Sequence, residues 1–179
     1  MATNNPTISK INRIKKTVKF VVYALAVAGI SFLVWRYDLE SIPEGYNHLS
    51  PQHMPSGTRV VSMPCGENTP LGEGSVIRYA PPSGGGRATY GVIAGLPGEA
   101  ITIESNESGN ELRVGGRPEN ISLPKNHKIP TGTIPVDHFL VLLGDRHIRS
   151  NAGHPDSRQL GLIKRSWVEA KIISSLYFF

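Results

Sequence analysis

Residues 89–115 read TYGVIAGLPGEAITIESNESGNELRVG. Three short runs, 89–94, 100–104 and 111–115, are rich in β-branched and apolar residues and separated by turn residues. Residues 100–115 read as a hairpin whose polar turn is Ser105-Asn106-Glu107-Ser108-Gly109-Asn110. Runs of the same kind recur at 58–63, 75–79, 138–143 and 168–178. Pro81 to Gly86 form a flexible loop, and residues 117–135, rich in Pro and Asn, read as a long excursion. No long helical period follows Arg36, and no internal repeat is present. The expectation is one mostly β domain over residues 37–179.

Ahead of that domain, residues 20–35 (FVVYALAVAGISFLVW) carry no charge and are bracketed by Lys19 and Arg36. With snorkelling of those flanks, the segment 20–36 reads as a transmembrane anchor, with Tyr23 and Trp35 near its ends. A cleaved signal peptide is the rival, since Ala24, Ala26 and Ala28 offer small residues. The 179-residue chain has 19 Lys+Arg and 14 Asp+Glu, a net charge of +5. Lys10, Arg13, Lys15, Lys16 and Lys19 account for that surplus, so residues 20–179 are balanced. By the positive-inside rule the basic tail, 1–19, is cytoplasmic and 37–179 lie outside, in the periplasm or extracellular space. A balanced domain is a poor fit to nucleic acid, so no nucleic-acid partner is expected; the bilayer is one.

The lone Cys65 excludes an internal disulfide and a multi-Cys zinc site, and it reads as a free thiol without a role. Asp137-His138 and Asp145-x-His147 lack a finger or helical spacing, so no metal and no cofactor are expected. Asn106-Glu107-Ser108 and Asn120-Ile121-Ser122 are nominal glycosylation triplets of the sort that arise by chance.

Three further segments carry chemistry. Ser41-Ile42-Pro43-Glu44-Gly45-Tyr46 follows the apolar segment, and Gly95-Leu96-Pro97-Gly98-Glu99 lies in the opening stretch. Gly144-Asp145-Arg146-His147-Ile148-Arg149-Ser150 is followed by Asp156-Ser157-Arg158-Gln159-Leu160-Gly161-Leu162-Ile163. In this order, over most of residues 20–173, they resemble the type I signal peptidase family. The Ser-Ile-Pro-x-Gly start is similar to its conjugative-transfer branch, which matures pilins. The resemblance implies antiparallel sheets in two lobes and a Ser–Lys dyad. Ser41 is then the nucleophile, which needs a base to take its proton. Its own N–H contributes to the oxyanion hole. Asp145 pairs with Arg158, Asp156 helps to fix Arg158, and Ser150 hydrogen-bonds the base.

The chain departs from that pattern in three places. Five residues, Asn151 to Pro155, separate Ser150 from Asp156, where the family has one. Leu39 stands where many members carry a hydroxyl that assists the oxyanion. The family lysine lies four residues before the first Gly of Gly-Leu-Pro-Gly, and here that position is Gly91. No lysine occurs between Lys19 and Lys125. A substitute base could come from His147, His154, Lys125 or Lys128; Tyr90 is costly because its ordinary pKa is about 10. Arg87 does not deprotonate at physiological pH.

Two functions follow from the resemblance. One is a membrane-anchored serine endopeptidase that cuts signal or pro-peptides of exported precursors, pilins included. The other is an inactive relative that binds the same peptide or scaffolds a secretion or conjugation complex. In both, the peptide lies as a strand along a sheet edge, which suits substrates of varied sequence.

Overall fold

The computed structural model describes residues 6–43, 57–82, 88–106, 109–143 and 155–176. The chain divides into two compact units, Met1–Asp38 and Leu39–Phe179.

The first unit is dominated by helix α1 (Pro6–Arg36), 31 residues long. The basic tail and the apolar segment therefore share one helix: nothing between Pro6 and Arg36 breaks it, and proline is accommodated in a helix's first turn. Within it, the 22 residues Lys15–Arg36 have a mean hydropathy of 2.1. At 1.5 Å per residue they span about 33 Å, enough to cross a hydrocarbon core. Phe20, Leu25, Ile30, Phe32, Val34 and Trp35 are all exposed along this helix. An all-round apolar surface of this length is a candidate membrane anchor or signal sequence.

The second unit is mostly β. Its strands are β1 (Asp38–Ser41), β2 (Arg59–Pro64), β3 (Val76–Tyr79), β4 (Thr89–Gly95), β5 (Ala100–Asn106) and β6 (Gly109–Val114). They continue with β7 (Arg117–Ser122), β8 (Gly132–Thr133), β9 (His138–Leu142), β10 (Ile163–Lys164) and β11 (Val168–Leu176). A four-residue helix, α2 (Ser157–Leu160), precedes β10. One sheet has the order β1-β2-β11-β3-β4-β9-β10 and the other β7-β6-β5-β8. The pairings of β2 with β11, β11 with β3, β3 with β4, and β4 with β9 are antiparallel, as are those within the second sheet. The hairpin read at 100–115 is β5–β6, with Ile101 opposite Val114 and Asn106 opposite Gly109. The excursion read at 117–135 is only partly irregular: β7 and β8 fall inside it and extend the second sheet on both sides.

Alternation along the strands sorts the apolar residues into three clusters. Ile42, Val60, Val76, Tyr90, Leu143 and Ile172 form one. Ile77, Tyr79, Ile93, Phe139, Val141, Ile163 and Val168 form another, on the other face of the first sheet. Ile101, Leu112, Val114, Leu123, Ile129, Ile134, Leu140 and Leu142 make the core of the second sheet. Strand β9 is buried on both faces, which is why 139–143 reads as an unbroken apolar run, FLVLL. Where β4 leaves the first sheet for the second, its register against β9 shifts between Ile93 and Gly95. Gly95 is required there by contact. A Cβ on it would lie 2.7 Å from Ile134 Cδ1, 2.8 Å from Val114 Cγ1 and 3.1 Å from Leu140 Cβ. Gly95→Ala is therefore expected to lower stability by about 1–3 kcal/mol, read as a lower urea midpoint for the full chain in detergent.

Candidate active site

Strand β1 stands last in its sheet and is followed by Ile42, whose N–H donates to Thr58 O at 2.9 Å. Leu39 and Ser41 are exposed, Glu40 is half-buried and Ile42 is 1% exposed. The period of two thus turns Glu40 and Ile42 inward and Ser41 outward. Among the described residues no lysine or histidine hydrogen-bonds the Ser41 hydroxyl.

Gly91 does not supply a base slot. It faces away from the cluster that holds Ile42, into the other side of the sheet. A Cβ there would lie 2.5 Å from Val141 Cγ1, and 3.4 Å from both Leu142 O and Tyr79 Cε1. The space a longer side chain would need is filled by Val141 and Tyr79. On the side facing Ile42 the neighbours are Tyr90 and Val92.

Tyr90 is not a base either. Its ring is buried, and its hydroxyl donates to Glu40 Oε2 at 2.8 Å. Burial, and then the Glu40 carboxylate, push its pKa up, so it holds its proton throughout the physiological range. Arg78 pairs with the same Glu40 Oε2, and its Nε lies 3.2 Å from Glu169 Oε2. Burial opposes the charge on Arg78, but its bonds to Glu40 outweigh that and leave its pKa raised. Glu40 Oε1 is buried and has no hydrogen-bond partner among the described residues. No motif or spacing in the sequence marks this cluster. One signal was available: an arginine inside the otherwise apolar strand Val-Ile-Arg-Tyr needs a carboxylate nearby.

The second motif is built into the core. Asp156 and Arg158 are 0% and 3% exposed. Asp156 Oδ2 lies 2.7 Å from Arg158 Nη2, and Arg158 Nε donates to both carboxylate oxygens at 3.1 and 3.0 Å. Asp156 also caps α2: its Oδ1 accepts from Arg158 N at 2.8 Å while Gln159 Oε1 accepts from Asp156 N at 2.9 Å. It reaches β9 as well, where Leu143 N donates to Oδ2 at 3.0 Å and Val141 N donates to Ser157 Oγ at 2.9 Å. The motif gives no sign of what Ser157 does; its hydroxyl closes an amide of β9. Asp156 thus holds Arg158 directly. Asp145, His147, Ser150 and His154 lie outside the described residues.

Lys125 and Lys128 are exposed, and the adjacent Leu123 and Ile129 belong to the core of the second sheet rather than to the cluster of Ile42. Glu99 organises the Gly-Leu-Pro-Gly-Glu turn, with Leu96 N donating to its Oε2 at 2.7 Å and Arg117 Nη2 to its Oε1 at 2.9 Å. Cys65 is a half-buried free thiol whose pKa burial pushes up, partly offset by Arg165 and Lys171.

No protein-family model matches the chain, and no curated protein matches it. Among solved structures it is similar to a signal peptidase I from Enterococcus faecalis at 23% sequence identity, with a TM-score of 0.38. The match covers 59% of this chain and 98% of that one.

Two substitutions test the site as built. Gly91→Lys is expected to destabilise the chain by about 1–3 kcal/mol or more and to raise no activity above that of the wild type, because the side chain must displace Val141. Arg158→Ala strands a buried carboxylate and is expected to cost about 3–5 kcal/mol in urea unfolding; lysine, a point charge, restores only part of it.

Proposed function

We propose that the chain is a membrane-anchored serine endopeptidase of the signal peptidase type. In this reading α1 is an uncleaved anchor in the cytoplasmic (inner) membrane, the N-terminus is cytoplasmic, and residues 37–179 work on the exported side. The substrate is a precursor peptide with small residues at its cleavage site, a pilin among the candidates, and a secretion or conjugation machine is the setting.

Ser41 Oγ attacks the scissile carbonyl carbon, and its proton passes to a histidine from 144–154, His147 or His154. The carbonyl oxygen takes up the negative charge and is met by the Ser41 N–H. Collapse of the intermediate breaks the C–N bond, and the histidine returns the proton to the leaving amine. Water, activated by the same histidine, then hydrolyses the ester and frees Ser41. Ser150 and Asp145 support the base.

One observation carries this reading: Leu143, the last described residue before that segment, packs in the same cluster as Ile42, the neighbour of Ser41. His147 follows Leu143 by four peptide units, a reach of up to about 14 Å. The segment's other end is held at Pro155, whose carbonyl accepts from Tyr79 Oη at 2.8 Å.

A specific observation favours a second reading. Ser41 faces outward and the Gly91 position is filled, which suits a non-catalytic relative that binds the peptide or scaffolds an assembly. Precursor processing by the full chain in liposomes separates the two, with products identified by mass spectrometry. Ser41→Ala is expected to lose more than about a thousandfold in rate, as does the substitution of the acting histidine by alanine. The wild-type rate is expected to rise between about pH 5.5 and 7.5 and then level off, as a histidine base loses its proton. Processing that survives in Ser41→Ala removes Ser41 as nucleophile, and no processing by the wild type favours the binding role.

A further inference from the structure

Strand β1 has four residues and, among the described residues, one partner strand, β2. Asp38, Leu39 and Ser41 are exposed, so burial of β1 itself contributes little to holding it. Besides its pairing with β2 and the burial of Ile42 just after it, a carboxylate ties it down. Glu40 Oε2 accepts from Tyr90 Oη on β4 and pairs with Arg78 on β3, and Arg78 in turn reaches Glu169 on β11. The pairing register explains why these groups meet. Arg78 stands opposite Tyr90 in the β3–β4 ladder and opposite Ala170, the residue after Glu169, in the β3–β11 ladder.

The reach of this cluster shows how far the sheet curls. In the strand order, β1 and β4 are four spacings apart, about 19 Å in a flat sheet, which is more than two side chains can bridge. The sheet must coil until β1 faces β3 and β4, and Glu40 is the polar contact that ties the coil. Stability alone is a weak reason for a charge at this point. Glu40 Oε1 is buried and unpartnered among the described residues, and an apolar side chain would avoid that desolvation. An apolar contact would also slide, whereas a carboxylate gripped by two donors from two strands has one place to be.

We infer that Glu40, Arg78 and Tyr90 are positioning residues for Ser41. Neighbouring side chains on a strand point to opposite faces, so holding Glu40 inward presents Ser41 outward at a fixed height. A displacement of about 1 Å at a nucleophile is enough to cost around a hundredfold in rate. The inference rests on the reading of Ser41 as nucleophile.

The test measures precursor processing by the full chain in liposomes alongside hydrogen exchange of the amides of β1. Tyr90→Phe, Arg78→Lys and Glu40→Ala are expected to lower kcat by tenfold to a hundredfold, with KM within twofold and the thermal midpoint nearly unchanged. Exchange at β1 is expected to quicken by tenfold or more while β9 is unaffected. Glu40→Gln keeps the shape and an acceptor for Tyr90, and is expected to recover part of the kcat lost in Glu40→Ala. A merely structural role would move the midpoint and KM without that recovery. Unchanged kcat and unchanged β1 exchange in Glu40→Ala overturn the inference. Processing that persists in Ser41→Ala is a different failure, that of the nucleophile. Exchange then decides alone: faster exchange at β1 in Glu40→Ala supports the clamp, and unchanged exchange overturns it.

Discussion

Strand β9 is buried on both faces, and among the described residues its outer edge is paired to a strand only at His138 and Phe139. Beyond that point Val141 N and Leu143 N need acceptors, since an unpaired buried amide costs about 1–3 kcal/mol. Ser157 Oγ and Asp156 Oδ2 supply them. The remaining acceptor strength of Asp156 is taken by Arg158 and by the cap of α2, so one carboxylate closes a strand edge, starts a helix and neutralises a buried cation. Much of the rest depends on this join. Leu140 and Leu142 feed the core of the second sheet, Phe139 and Val141 one face of the first, and Leu143 the cluster on its other face. Removing the carboxylate would loosen all three at once.

The same join sets the terms for chemistry. It fixes Leu143, and Tyr79 Oη holds the Pro155 carbonyl; these are the two described ends of the segment that carries Asp145, His147, Ser150 and His154. The described residues thus hold two charged clusters, Asp156–Arg158 and Glu40–Arg78–Tyr90. Asp156–Arg158 anchors the stems of that segment, and Glu40–Arg78–Tyr90 anchors the strand that carries Ser41. They differ in burial. Arg158 is 3% exposed whereas Arg78 is 24% exposed at the side chain, so solvent screens the second cluster far more than the first. The first is a matter of stability and the second, more exposed and less satisfied, is better suited to placement.

Most of the β architecture was legible because it rests on local signals. Alternation and turn residues located β2 to β6, β9 and β11; the polar stretch 105–110 marked the β5–β6 hairpin, but its ladder runs further into that stretch than the pattern shows, to Asn106 opposite Gly109. β7 was hidden by Pro118 and the asparagines around it: it reads as irregular, and only pairing with β6 makes it a strand. β1, β8 and β10 are too short for a period to show and exist because a neighbour's edge needs partners. The candidate site was legible as residue types and less so as geometry. Asp156 and Arg158 stood out as a charged pair two residues apart, yet their burial and their bond to β9 depend on residues more than ten positions away. Arg78 and Tyr90 lie 38 and 50 positions from Glu40, and no spacing rule links them.

The sequence by itself determined the long apolar helix, the separation of the positive charge from a balanced β domain, and the order of strands along the chain. Each of these follows from composition or from a period of two or 3.6, which neighbouring residues set among themselves. Only the tertiary structure decided which face each strand shows to which cluster. That choice closed position 91 with Val141, turned Tyr90 toward Glu40 and pointed Ser41 outward. The physical reason is that a strand's parity is settled by the partner it packs against, and a shifted register of the kind seen between Ile93 and Gly95 changes that parity without leaving a mark in the sequence.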